Sequence, residues 1–142
     1  MADHDKPSPR ISAETQPFWD GCRQGELRYQ LCSGCGRVQF YPRALCAGCG
    51  ATSLEWRRSR GEGSIYTVTV VYRAPTPAFR ADVPYAIALV DLDEGFRMMA
   101  NVLGPDPESL TIGDRVRVVF ETRGDLALPQ FERSRGPAAA GP

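Results

Sequence analysis

Histidine is almost missing from this chain of 142 residues: the one copy is His4, near the start. That leaves no Ser-His-Asp or Cys-His arrangement to propose. A glycine-rich phosphate loop of the Walker or dinucleotide type is absent too. Net charge is also lacking, with 17 basic residues against 17 acidic ones, which argues against a protein that coats nucleic acid or an anionic membrane over its whole surface. No apolar run is long enough to cross a bilayer, the longest, near Ala86 to Val90, being broken by Asp91. The opening Met-Ala-Asp-His-Asp-Lys lacks the apolar segment of a secretory signal. The expectation is a cytoplasmic, reduced setting with no membrane contact, and a chain poorly equipped to be an enzyme alone.

Five cysteines are present, and four of them are patterned. Cys32-Ser-Gly-Cys35-Gly and Cys46-Ala-Gly-Cys49-Gly form two Cys-x-x-Cys pairs, each followed by glycine and separated by a short insert. Each pair turns tightly enough to aim both sulfurs at one centre, which is what a tetrahedral zinc needs. Gly34, Gly36, Gly48 and Gly50 suit backbone folded around thiolates. A disulfide inside Cys-x-x-Cys is strained, and a redox motif would need one pair and not two. The alternative is an iron site of iron-sulfur or rubredoxin type. Four sulfur ligands leave no open position, so the metal is expected to be structural, one per chain, and to supply on the order of 10 kcal/mol to folding. Cys22 is left over and is expected to be a small buried residue; as a nucleophile it has no histidine beside it.

The length fits one ordinary domain, or a metal module plus a small β domain. Residues 1–12 and 133–142 are polar or rich in Pro, Ala and Gly and are expected to be disordered. Residues 13–26 should hold a short helix, capped by Thr15, with Pro17 in its first turn and Gly25 after its end. Phe18, Trp19 and Cys22 share one side of it. Residues 27–60 form the ribbon, with strands at Leu27–Leu31 and Val38–Pro42 and an extended exit at Leu54–Arg58. From 61 to 132 the signals are those of strands. Ile65–Tyr72 is almost wholly β-branched or aromatic, with Tyr66, Val68, Val70 and Tyr72 expected on one face. Tyr85–Leu92 is apolar enough to be buried on both sides at its centre. Asp93-Glu94-Gly95 makes a hairpin turn, Phe96–Leu103 returns, and Arg115–Glu121 and Leu126–Phe131 complete the set, with a helical turn at Glu108–Leu110. Five such strands need closure to remove their edges, so the fold class is mainly β, a short helix and zinc ribbon followed by a five-stranded OB-type barrel, with a sandwich as runner-up. Gly61 and Gly63 stand where such a barrel must bend.

Charge is unevenly spread. Between Cys22 and Arg60 there are seven arginines (23, 28, 37, 43, 57, 58 and 60) against Glu26 and Glu55, while between Asp82 and Asp125 nine acids face four arginines. The ordinary explanation is that the arginines offset the charge of a metal bound to four thiolates and keep the surface soluble. The functional reading is an anion site at the junction of ribbon and barrel, since guanidinium forks suit phosphate. Its ligand would be a nucleotide-containing cofactor or a nucleic-acid backbone, with Phe40, Tyr41 and Trp56 near enough in sequence to stack on a base. For Phe18 and Trp19 the ordinary role is to cover a local core and the sharper one is to dock another subunit. Asp91 and Asp93 flank a turn, where solvated charge is the ordinary explanation.

The order Pro17-Phe18-Trp19, the two knuckles with Pro42-Arg43 between them, Gly61-Glu-Gly63-Ser-Ile-Tyr66-Thr, Pro84-Tyr85-Ala-Ile-Ala-Leu-Val-Asp91-Leu, Gly113-Asp-Arg-Val116 and Leu128-Pro-Gln-Phe131 resembles the family of acyl-CoA-associated proteins that join a rubredoxin-like zinc ribbon to an OB fold. The likeness covers roughly residues 15–132, and all four cysteines of the pattern are present; some relatives carry a fused hydratase-like domain that is not in this sequence. The resemblance implies a non-catalytic accessory subunit. Such proteins pair in a hetero-oligomer with a thiolase-like enzyme (acyltransferase, degradative thiolase or aldolase of the sterol-carrier type) and help it hold or pass an acyl-coenzyme A thioester. It implies zinc on Cys32, Cys35, Cys46 and Cys49, docking through Phe18, Trp19 and the Pro75–Tyr85 loop with Phe79 and Tyr85, and contact of Arg43, Arg57, Arg58 or Arg60 with CoA phosphates. The rival is a single-stranded nucleic-acid-binding protein, since ribbons and OB barrels both serve that role; the zero net charge and the acidic barrel half stand against it.

Overall fold

A computed structural model gives the structure of the chain and describes residues 6–134. The parts of the two tails expected to be disordered at 1–5 and 135–142 lie outside the described residues. Helix α1 (Gln16–Arg23) leads into a three-stranded sheet of β1 (Leu27–Cys32), β2 (Val38–Gln39) and β3 (Leu54–Ser59). Its strand order is β2-β1-β3. Strands β4 (Glu62–Val71), β5 (Tyr85–Leu92), β6 (Arg97–Leu103), β7 (Arg115–Arg123) and β8 (Leu126–Arg133) close into a barrel in the order β4-β5-β6-β8-β7. The parallel pairing of β6 with β8, Val102 opposite Phe131, shuts it and excludes the sandwich. The chain is mainly β, with one short helix, a ribbon and a five-stranded OB barrel.

Alternation along the strands builds the barrel core. Ala86, Ala88, Val90 and Leu92 of β5 point inward and are buried, together with Met98 and Val102 of β6, Val116 of β7 and Phe131 of β8. Tyr85, Ile87, Leu89 and Asp91 alternate with them and are only half-buried, so β5 is not covered on both sides as its apolar run suggested. A bulge between Ile65 and Thr67 corrects another expectation. It adds Tyr66 as an extra residue, so that Ile65 is buried, Tyr66 is exposed, and Tyr66 does not share the face of Val68. At the start of β4 the two glycines are closely approached by neighbouring strands. A Cβ on Gly63 would meet the Asp91 carbonyl, and one on Gly61, at φ +77°, would meet the Val118 side chain.

Helix α1 ends where Gly25 takes φ +78° and the Glu26 amide donates to the Gly21 carbonyl at 2.8 Å. Its start differs from expectation: Thr15 makes no side-chain cap, its hydroxyl oxygen instead accepting the Ser12 amide at 3.0 Å. Phe18 and Trp19 are 1 % and 6 % exposed. They pack in the same core cluster as the barrel residues, the covering of a local core that was the ordinary expectation. The segment before the helix is also more tied down than its composition suggested. Lys6 pairs with Asp82 at 2.5 Å, Arg123 donates to the Pro7 carbonyl at 2.9 Å, and Ile11 packs against the core. At the other end β8 runs to Arg133, and the Ser134 amide donates to the Arg115 carbonyl at 2.8 Å.

Ribbon and barrel are locked together. The Ser59 hydroxyl donates to Glu94 Oε1 at 2.7 Å and the Arg60 amide to Glu94 Oε2 at 2.8 Å, fixing the end of β3 to the hairpin between β5 and β6.

Candidate functional site

The two Cys-x-x-Cys turns fold as near copies. In the first, the Cys32 amide donates to the Arg37 carbonyl at 2.9 Å and the Gly36 amide to the Cys32 carbonyl at 2.7 Å. In the second, Cys46 bonds Ala51 and Gly50 bonds Cys46, both at 2.9 Å. Gly36 and Gly50 sit at φ +80° and +78°, where a side chain would be strained. The turns face each other, with Cys32 Sγ 3.7 Å from Cys49 Sγ and Cys35 Sγ 3.6 Å from Cys46 Sγ. All four sulfurs lie within 4.8 Å of one another. Zn–S bonds of about 2.3 Å in a tetrahedron separate the sulfurs by about 3.8 Å, so the spacing and the all-sulfur donor set fit zinc.

Backbone amides prepare two of these thiols, Cys46 and Cys32, for ionisation. The Cys49 and Gly48 amides point at Cys46 Sγ, 3.4 and 3.3 Å away, and bring its pKa down to about 6. The Cys35 and Gly34 amides lower Cys32 in the same way. Cys46 and Cys32 are buried, while Cys35 and Cys49 face outward. Cys22, buried on helix α1, is the opposite case: burial pushes its thiol up to about 12 against the pull of Arg28, which suits packing and not attack.

The segment between the knuckles is held by two residues to which the sequence reading assigned no role. Gln30 and Gln39 face each other across β1 and β2 and are 3 % and 7 % exposed. Gln39 Nε2 donates to Gln30 Oε1 at 2.8 Å, Gln30 Nε2 donates to the Arg43 carbonyl at 3.0 Å, and the Arg43 amide donates to Gln30 Oε1 at 2.9 Å. Gln39 also receives the Ala47 amide at 2.9 Å and donates to the Leu45 carbonyl at 3.3 Å. The available signal was the pair of glutamines at facing positions of the two ribbon strands.

Of the four arginines offered as contacts for CoA phosphates, two are turned apart by the strand that carries them. Arg57 and Arg58 are consecutive on β3 and therefore point to opposite faces of the ribbon sheet. Each already has a carboxylate: Glu55 for Arg57 at 2.8 Å and Glu26 for Arg58 at 3.6 Å. Arg43 and Arg60 are exposed, and among the described residues their side chains make no ion pair. The expected stacking aromatics are largely occupied, Phe40 lying against Phe96 and Tyr41 edge-on to Phe18. Phe79 and Tyr85 do come together, ring centroids 6.3 Å apart. They line a cleft of about 240 Å³ with Pro84, Leu103 and Pro107, at the end of the barrel where the long connection returns.

A four-cysteine zinc ribbon fixed to a closed OB barrel is the class of protein that this fold and this site define. The ChsH2 rubredoxin-like zinc ribbon domain matches residues 19–55 and the ChsH2 C-terminal OB-fold domain matches residues 56–121. The chain belongs to this ChsH2, or DUF35, family. A "DUF35 domain-containing scaffold protein" of Methanothermobacter thermautotrophicus is 38% identical over 115 residues, covering 78% of this chain and 84% of that protein. A "Probable enoyl-CoA hydratase alpha subunit" of Thermomonospora curvata is 32% identical over 127 residues; the match takes in 89% of this chain but spans only 39% of that relative's length. Among solved structures, a chain of an "Ltp2-ChsH2(DUF35) aldolase" superposes with a TM-score of 0.80 at 30% identity, covering 89% of this chain and 98% of that one.

Proposed function

We propose that this chain is a non-catalytic accessory subunit that joins a thiolase-like enzyme and helps it hold or pass an acyl-CoA. The observation that carries the reading is the likeness to a chain of the Ltp2-ChsH2 aldolase, which runs through both ribbon and barrel over 98% of that chain. The chemistry of the site agrees. Cys32, Cys35, Cys46 and Cys49 would hold one zinc with no position left for water or substrate, so the metal would supply rigidity and no reaction step. The one histidine, His4, lies outside the described residues. Phe79 and Tyr85 stay the docking candidates on the barrel. Of the four candidate arginines, Arg57 and Arg58 are paired with carboxylates, and Arg43 and Arg60 make no ion pair among the described residues. The nucleic-acid reading is not favoured, because the net charge is zero and the barrel half is acidic.

The test is co-expression with the thiolase-type protein of the neighbouring gene. Co-elution on size exclusion and an acyl-CoA reaction that needs both chains are expected. Two proteins that never co-elute, with the partner fully active by itself, would overturn the reading.

A further inference from the structure

In the loop between the knuckles an exposed, mixed apolar and basic surface rests on a buried polar support. Tyr41 and Leu45 are 42 % and 49 % exposed, with Arg43 between them and also exposed. Beneath them the Gln30–Gln39 clamp holds the Arg43 backbone by both its amide and its carbonyl, and the Leu45 carbonyl as well. Buried amides are costly unless every partner is in place, so this arrangement fixes the loop in one conformation before anything binds. Tyr41 is braced further against Phe18, ring centroids 6.0 Å apart.

We infer that Tyr41, Arg43 and Leu45 form a pre-organised docking knob for an acidic side chain set among apolar ones on the enzyme subunit. This rests on the accessory-subunit reading above. The charge balance selects the partner. The ribbon half carries seven arginines against Glu26 and Glu55, and both acids are taken, Glu26 by Arg28 and Arg58, Glu55 by Arg57. Arg37, Arg43 and Arg60 make no ion pair among the described residues, and of these three Arg43 lies between an exposed aromatic and an exposed aliphatic side chain, the composition of an interface anchor. A polyphosphate would draw on several guanidinium groups together, and strand alternation and ion pairs keep Arg57 and Arg58 from joining Arg43.

The experiment titrates the purified thiolase-type protein of the neighbouring gene against the zinc-loaded full chain and its Arg43→Glu, Arg43→Lys and Leu45→Ser variants, with Ile112→Ser as an exposed control on the barrel. Arg43→Glu and Leu45→Ser should each raise Kd by about tenfold or more, Arg43→Lys by less, and Ile112→Ser should leave it unchanged. Zinc content and melting temperature should stay those of the native chain in all four. Wild-type affinity in Arg43→Glu and Leu45→Ser overturns the docking knob while leaving the accessory role standing. A loss seen only when coenzyme A is present also overturns it, since the loop would then serve the phosphates. No binding by the native chain removes the accessory role and the knob together.

Discussion

The ring of Phe40, carried by the ribbon, stacks on that of Phe96 at the foot of a barrel hairpin, centroids 5.5 Å apart and planes inclined by 26°. Tyr29 of β1 stacks on the same Phe96 ring at 4.9 Å, and Phe18 of the helix meets Phe40 edge-on at 5.3 Å. Helix, ribbon and barrel therefore share one aromatic junction, continuous with the barrel core. A metal-bound ribbon of this size buries little of its own, so its orientation is set by these rings and by Glu94, which binds both Ser59 and Arg60.

Phe96→Ala should cost about 3–5 kcal/mol, as for a large aromatic removed from a packed core. The loss should be felt across the junction. Amide exchange in β1 and β3 should rise along with that in the hairpin, which hydrogen-exchange mass spectrometry resolves. Faster exchange confined to the hairpin would mean that the ribbon is held by something other than these rings.

Zinc removal should separate the two halves differently. A chelator under denaturing conditions should release about one metal per chain. In the native protein, loss of metal should abolish exchange protection around Cys32–Cys49 while the β4–β8 barrel keeps its own, because the barrel closes without using any sulfur. Cys46→Ser should behave as the chelated protein does. A chain that refolds with no metal and with four alkylatable knuckle thiols would refute the site.

The parts of this fold legible in the sequence are those fixed by local spacing. Two turns of four residues set the sulfurs, and the β-branched run from Ile65 set the longest strand. Gly61 and Gly63 stood out because a missing Cβ is a local property with a local consequence, the close approach of neighbouring strands. What escaped depends on partners distant in the chain. Tyr66 changed face because a bulge, decided by pairing with β5, added one residue. Phe18 and Trp19 were ambiguous until the barrel and the ribbon closed over them. The arginines looked like a cluster in one dimension, but β3 sends Arg57 and Arg58 to opposite faces. The glutamine clamp is a cross-strand pair, and register is not written in either strand alone.

Two glycines give a matched test of the packing. Gly63→Ala puts a methyl into the Asp91 backbone carbonyl, which the β4–β5 ladder holds in place. Gly21→Ala meets the Arg28 side chain, which must loosen its bonds to the Pro17 carbonyl and Glu26 to move but needs no shift of laddered backbone. The first should lower stability by several kcal/mol, within the range of overpacked cores, and the second by about 1 kcal/mol or less. Urea denaturation of both variants decides it, and equal losses would show that the close approach at Gly63 is not a constraint.

Followed in the metal-free chain, so that thiolate protonation and zinc loss do not contribute, the barrel's loss of stability toward acid should trace to Asp93 and Asp114. Arg115 donates to both oxygens of Asp93 at 2.9 and 2.7 Å and holds its carboxyl below the usual carboxylate range, overcoming partial burial. For Asp114 burial works in the opposite sense, yet the Thr111 amide and hydroxyl and Arg133, each at 3.0 Å, still bring it down. A carboxyl whose folded pKa lies below its unfolded value contributes stability that is fully present above the unfolded value, about 4, and is lost as pH falls through the folded one. The urea midpoint should thus stay level from about pH 7 to 5 and fall below about pH 4. Arg115→Gln should lower the midpoint at pH 7, and its gap from the native chain should close as pH falls through the lowered folded pKa of Asp93, below which the carboxyl is protonated in both. Because the pair is about one-third exposed, added salt should narrow the gap at pH 7 as well. A gap of constant size across this pH range would show that Arg115 acts through packing and its bond to Ser64, 3.1 Å away, and not through the charge on Asp93.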